Sequence, residues 1–174
     1  NDGEHLSSFY YIGGPLGVTL AGDFLTLFLF WEIMAFSSVF LVWYRKIPSS
    51  VDSGFRYLLW HVIGGLILFS GIMIQYSVSD DLSIQYLPFH GWWPTDIQSL
   101  ASFLILIGFI VNAAVPPFGA WLPDAYPAAT VTGAVFMSAF TTKTAVYALI
   151  RVCAGSEILI FLGVVMAIYG VVYA

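Results

Sequence analysis

The sequence predicts an all-α membrane protein, a bundle of transmembrane helices containing one broken helix. Three observations carry this. Of 174 residues, 60% are hydrophobic and only 9% charged, whereas a soluble domain carries about 25% charged residues. Apolar runs close to the ~20 residues needed to cross a bilayer recur along the chain. One of these runs ends in a cluster of prolines and glycine, "VNAAVPPFGAWLPDAYP".

In chain order, the first apolar segment is Leu6–Ala21, a short helix bent by Gly13, Gly14 and Pro15. Gly22-Asp23 breaks the pattern, with Asp23 placed to cap the next helix. The second span is Phe24–Tyr44, with Glu32 near its middle. The third, Tyr57–Tyr76, holds His61 and Gly64, Gly65 and Gly71. The fourth is Leu100–Ala120 and the fifth Val131–Ile150, which carries Lys143. A sixth begins near Glu157 and runs to the end of the sequence. The absence of an initiator Met and the apolar final residues predict a fragment of a longer membrane polypeptide. The fragment is expected to be one transmembrane domain over residues 1–174.

Charge sets the expected orientation. Arg45, Lys46 and Arg56, three of five basic residues, lie between the second and third spans. The positive-inside rule makes that loop cytoplasmic. The following loop, "SVSDDLSIQYLPFHGWWPTD", has three Asp and no Lys or Arg, so it faces outward, with Tyr86, Trp92 and Trp93 suited to the headgroup layer. The "WLPDAYPAAT" segment is then cytoplasmic, and Arg151 is the exception on the outer side. With a net charge of -5 and no basic patch, nucleic-acid binding is set aside. The lone Cys153 forms no intrachain disulfide and fits no zinc spacing.

Four residues are candidates for an ion path. A charge at mid-membrane costs roughly 3 kcal/mol on insertion scales, so such residues mark ion or proton routes. Glu32 is the first and Lys143 the second; burial and nearby charge decide whether each is ionised. The alternative for Glu32 is a protonated carboxyl bonding a neighbouring helix. For Lys143 it is snorkelling, which would have to climb past Tyr147 and Ile150. Thr141, Thr142 and Thr144 are expected around the lysine. His61 shares a helix face with Gly64 and Gly65, where small residues admit a second backbone; it suits either packing or relay.

The fourth candidate is Asn112, at the helix break. Pro116 frees the carbonyl of Asn112 and Pro117 that of Ala113, and Gly119 and Pro123 extend the break. Broken helices persist in membranes where they line a polar cavity or lie inside protein. Asp124 is expected past the break, as a cap or loop residue.

The segments "LFLFWEIMAFSSVFLVWY" and "PPFGAWLPDAYPAATVTGAVFMSAFTTKTAVYALIR" resemble a known group. It comprises the D-type subunits of multisubunit Na+/H+ antiporters, the nearer match, and the antiporter-like proton-pumping membrane subunits of respiratory complex I. The resemblance implies inverted five-helix repeats. Residues 6–152 would form the first repeat, and residues 155–174 would open the next. It implies a proton path, or Na+ exchanged for protons, with Glu32 and Lys143 matching the family's glutamate and following lysine. The family lysine on the broken helix falls at Asn112, which cannot titrate, and a histidine common before "WLPD" falls at Gly119. Implied partners are other membrane subunits, the lipid bilayer, protons and Na+, in a prokaryotic inner membrane. No cofactor and no catalytic residue are expected, although the parent assembly would include redox-driven NADH dehydrogenase or hydrogenase types. A non-conducting structural subunit is the alternative. A haem protein would need paired histidines at matching depth, and His5 and His90 fall outside the spans.

Overall fold

The computed structural model describes residues 2–87 and 89–173. Among the described residues seven helices follow one another: α1 (Asp2–Leu20), α2 (Phe24–Trp43), α3 (Pro48–Ser79), α4 (Ile97–Asn112), α5 (Trp121–Ala128), α6 (Val131–Cys153) and α7 (Glu157–Tyr173). Among the described residues there is no strand, only an isolated bridge between Asp23 and Ser83. By length and composition α2, α3 and α6 are apolar enough to cross a bilayer, and α4 and α7 are shorter apolar helices.

Local sequence explains most boundaries. Asp23 caps α2 as expected, accepting from the Thr26 N–H at 2.7 Å and the Thr26 hydroxyl at 2.7 Å. Asp96 and Ser99 form a reciprocal capping box at the start of α4, satisfying backbone donors that a helix start leaves free. Hydrogen bonds to their caps hold both Asp23 and Asp96 below the usual carboxylate range. Pro48 opens α3, where its missing N–H costs nothing. The third helix therefore starts nine residues before the apolar run read from the sequence, and that polar first segment stands at the end of the bundle.

The fourth span differs from its expectation. Helix α4 ends at Asn112, not near Ala120. Sixteen residues rise only about 24 Å, short of a ~30 Å hydrocarbon core. Two adjacent prolines remove donors and disfavour helical geometry just before them. The chain instead turns through Ala114, at φ 58°, and a cis Pro116–Pro117 bond, then resumes as α5. Asp124, expected as a cap or loop residue, lies in the first turn of α5.

The core lies where α1, α2, α3, α4, α5 and α6 meet, built around Tyr11, Trp31, Tyr57, Leu68, Phe109 and Trp121. At one end the α2–α3 connection, α5 and the start of α6 come together: Arg45 bonds the carbonyls of Pro127 and Ala129, and the Thr130 N–H donates to Leu41. At the other end Arg151 donates to the Thr19 carbonyl at 3.3 Å and the Ala21 carbonyl at 2.7 Å. The basic residue that breaks the charge rule thus satisfies the free carbonyls at the end of α1.

Candidate functional site

The site is built on three adjacent helices. Glu32 lies on α2, eight residues from its start and eleven from its end. Its carboxyl group faces Gly65 of α3, where a Cβ would collide with Oε1. That oxygen is buried and has no partner among the described residues. On the preceding residue of α3, a Cβ at Gly64 would lie 3.0 Å from Val111 Cγ1 and 3.6 Å from Asn112 Oδ1. Two consecutive glycines therefore admit Glu32 from one helix and the end of α4 from another.

His61 sits one turn earlier on α3, 1% exposed. Its Nδ1 lies 2.9 Å from the Tyr57 carbonyl. That acceptor requires Nδ1 to carry the proton, so a neutral ring presents Nε2 as a bare lone pair. Nε2 is buried without a partner among the described residues, as are Trp31 Nε1 and both amide atoms of Asn112. Leaving such an atom dry costs about 1–3 kcal/mol. Several such unpartnered atoms gather along one helix junction, the setting in which buried water is commonly found. Trp31 packs on Phe109 of α4 with ring centres 5.2 Å apart, which places its indole at the same junction.

The helix break closes the site on one side. Trp121, the first residue of α5, donates from Nε1 to the Val111 carbonyl at 3.0 Å. Its ring meets His61 edge-on at 4.7 Å and Tyr57 at 5.3 Å. Tyr57 in turn stacks on His61 at 4.0 Å. Gly119 is where a Cβ would run into the Ala114 carbonyl, so the tight return of the break leaves no room for the histidine that the family resemblance implies there. Pro116, Gly119 and Pro123 line a cavity of about 290 Å³ together with Thr142, Met166 and Gly170, and Pro117 stands beside it in the cis bond.

Lys143 stands apart from these groups. It is exposed on α6 and its Nζ donates to the Ser138 carbonyl at 2.6 Å. Rather than climbing past Tyr147 and Ile150, the side chain turns back toward the start of its helix, the direction in which helical side chains tilt. Thr141 and Thr144 do not surround it; both are buried, away from the exposed lysine. Residues one or two apart on a helix do not face each other. Within this chain Glu32 and Lys143 are not paired.

Several polar contacts were not anticipated from the sequence. The Tyr11 hydroxyl lies 2.6 Å from Thr141 Oγ1, tying α1 to α6. The Tyr57 hydroxyl lies 2.8 Å from Ser38 Oγ; since Ser38 donates its proton to Ala35 at 2.6 Å, Tyr57 is the donor. Tyrosines near span ends look like headgroup anchors in a sequence, and only packing distinguishes a buried one. Arg56 and Asp124 form an ion pair, Nε to Oδ2 at 2.8 Å, and the guanidinium holds the Asp124 carboxyl below the usual carboxylate range. Among the described residues no group of three or more His, Cys, Asp or Glu side chains could hold a metal.

Comparison with known proteins places this arrangement. Residues 21–174 match the family described as NADH:quinone oxidoreductase/Mrp antiporter, transmembrane. The chain is 35% identical over 162 residues to the Na(+)/H(+) antiporter subunit A1 of Staphylococcus aureus strain bovine RF122, covering 87% of this chain and 20% of the relative. It is 34% identical over 160 residues to the A1 subunit of Staphylococcus epidermidis strain RP62A, covering 86% and 20%. These relatives are A1 subunits, whereas the motifs set the D-type subunits nearer. The chain thus spans about a fifth of the length of the curated relatives it matches. Among solved structures, a chain of the Mrp complex from Dietzia sp. DQ12-45-1b is similar with a TM-score of 0.72 and 27% identity, over 82% of this chain and 27% of that one. A chain of the archaeal membrane-bound sulfane sulfur reductase is similar with a TM-score of 0.69 and 30% identity, over 79% and 28%. The same fold occurs in respiratory complex I from Thermus thermophilus, with a TM-score of 0.74 and 22% identity, over 87% and 34%. This multi-pass membrane chain, with its glutamate-bearing helix and its broken helix, belongs to the family of antiporter-like transmembrane subunits found in NADH:quinone oxidoreductases and Mrp antiporters.

Proposed function

We propose that this chain forms one half-channel of an ion-translocating, antiporter-like subunit that moves protons, or exchanges Na+ for protons, within a multisubunit membrane complex. The observation that supports it most is the Glu32 carboxyl oxygen, buried at mid-helix against Gly65 with no partner among the described residues. A carboxyl left free in this way takes up and releases a proton, or receives a cation, without first breaking an existing bond. Water between Glu32, His61 Nε2 and the Asn112 amide would carry the proton, the amide acting as both donor and acceptor while never titrating. The subunit has no catalytic residue of its own in this reading. The driving reaction is a Na+ gradient or a redox unit elsewhere in the complex. One charge crossing 100 mV is worth about 2.3 kcal/mol, comparable to about 1.4 kcal/mol for one unit of pKa.

The helix order supports the proposed repeat at residues 6–152, with α4 and α5 as two halves of one broken helix and α7 opening the next repeat. The bacterial relatives support a prokaryotic cell membrane. The test is ion flux in proteoliposomes containing the full-length parent complex. Glu32→Gln is expected to lower flux at least about tenfold, the loss of roughly 1.4 kcal/mol of barrier stabilisation. Wild-type flux from a correctly assembled Glu32→Gln complex would overturn conduction through this site. It would favour the second reading, a non-conducting structural subunit, to which the outward-facing Lys143 and the non-titrating Asn112 lend support.

A further inference from the structure

Helix α5 is covalently continuous with α4, yet it is held mainly by α3 and by the connection before it. Arg56 grips Asp124 with two nitrogens, Nε to Oδ2 at 2.8 Å and Nη2 to Oδ1 at 2.9 Å. Ser53 adds its hydroxyl to Oδ1 at 3.0 Å and accepts from Arg56 at 3.0 Å. Ser50 donates to the Ala128 carbonyl at 2.7 Å, and Arg45 reaches the carbonyls of Pro127 and Ala129. Every one of these ties lies at the end of the bundle, while the first residue of α5 carries the Trp121 ring into the core, 2% exposed.

We infer that Arg56 and Asp124 are positioning residues for the buried His61 site, acting through α5 and Trp121; this rests on the half-channel reading above. The pair is too exposed, at 56% and 35% for the two side chains, for its chief value to be stability. Its two-point geometry instead fixes orientation, as paired guanidinium–carboxylate contacts do. Asp124 is three residues from Trp121, so both lie on neighbouring positions of the same short helix. With eight residues, α5 makes little more than two turns and moves as a rigid piece. A shift at Asp124 therefore becomes a shift at the Trp121 ring. That ring spans both halves of the break through the Val111 carbonyl and packs on His61. Val111 is next to Asn112, so the same displacement alters the two polar residues on either side of Gly64.

The test uses the full-length parent complex and two readouts. The first is ion flux for Asp124→Asn, Arg56→Gln, Arg56→Lys and the exchange Arg56→Asp with Asp124→Arg. The first two are expected to lose flux on the order of tenfold, since small misplacements of reacting groups have effects of this size, with most of it restored by the exchange. The second readout is the rate at which a small thiol reagent modifies His61→Cys in a background with Cys153→Ser and no other reactive cysteine. Loss of the Asp124 carboxylate is expected to raise that rate at least about fivefold, and the exchange is expected to lower it again. Assembly is checked by size-exclusion chromatography, and Arg56→Lys, which keeps the charge but not the two-point grip, covers failure of the harsher variants. Equal labelling rates with and without the Asp124 carboxylate overturn the proposal, whatever the flux. Altered labelling with wild-type flux in Glu32→Gln supports the positioning role and removes only the half-channel reading.

Discussion

A carboxyl oxygen of Glu32 fits against α3 because position 65 has no Cβ. A methyl group there would occupy the space the carboxyl now fills, and overpacking of this kind costs about 1–3 kcal/mol. Gly65→Ala is therefore expected to displace Glu32 and reduce ion flux several-fold while the complex still assembles. Flux equal to wild type across the pH range would remove Gly65 from the account. Gly119 obeys the same logic with a different result. The family resemblance implies a histidine there, but a Cβ would meet the Ala114 carbonyl. Gly119→His should not restore a missing relay; it should lower thermal stability in detergent by about 1–3 kcal/mol. A variant as stable as wild type would show that the break opens more readily than its geometry implies. Glu32 and Asn112 were legible in the sequence as chemistry, one charged in an apolar run and one in place of a family lysine. Their shared position beside Gly64 and Gly65 was not, because residues on different helices meet only through packing. Thr141 and Thr144 were misplaced for a simpler reason: close to Lys143 in sequence, they are buried while the lysine is exposed.

Helix α5 is tied to α3 by an ion pair, Arg56 to Asp124. The Arg56 guanidinium lowers the Asp124 pKa in the folded protein. The ion pair is therefore fully formed at and above the ordinary carboxylate range, and it is lost only as pH falls through the depressed value. Transport is expected to keep its clamp throughout neutral and mildly acidic conditions. The ratio of labelling rates at position 61 with and without the Asp124 carboxylate cancels the thiol's own ionisation; if that ratio already changed between about pH 7 and pH 6, above the carboxylate range, another group would have to hold α5. The broken helix itself was legible from Pro116, Pro117, Gly119 and Pro123. Its boundary was not: the prolines stop α4 at Asn112, and a resumed helix takes in both Pro123, expected to extend the break, and Asp124, because Pro123 falls in the first turn of α5, where a helix leaves backbone N–H groups unused.

At the scale of the whole molecule, the ends of the bundle are chemically distinct. The α2–α3 connection, α5 and the start of α6 share one end through Arg45, Ser50 and Thr130. Residues 80–87 lie at the other, where the Leu87 N–H donates to the Val152 carbonyl and the Tyr86 hydroxyl bonds the Ala154 carbonyl. Cysteines introduced at Ser49 and at Ser83 are expected to react with an impermeant thiol reagent from opposite sides, Ser49 from the cytoplasm by the positive-inside rule. Labelling of both from the same side would contradict the arrangement.

The sequence by itself determined the solvent, the helix count around the break, and the family. Those properties follow from composition, from helix length against bilayer thickness and from contiguous motifs, all of which are local along the chain. Only the tertiary structure decided that Glu32 faces Gly65, that His61 is caged by Tyr57 and Trp121, that Arg56 finds Asp124, and that Lys143 points away. Each of these depends on which helical face meets which neighbour, and that is settled by close packing across helices far apart in sequence.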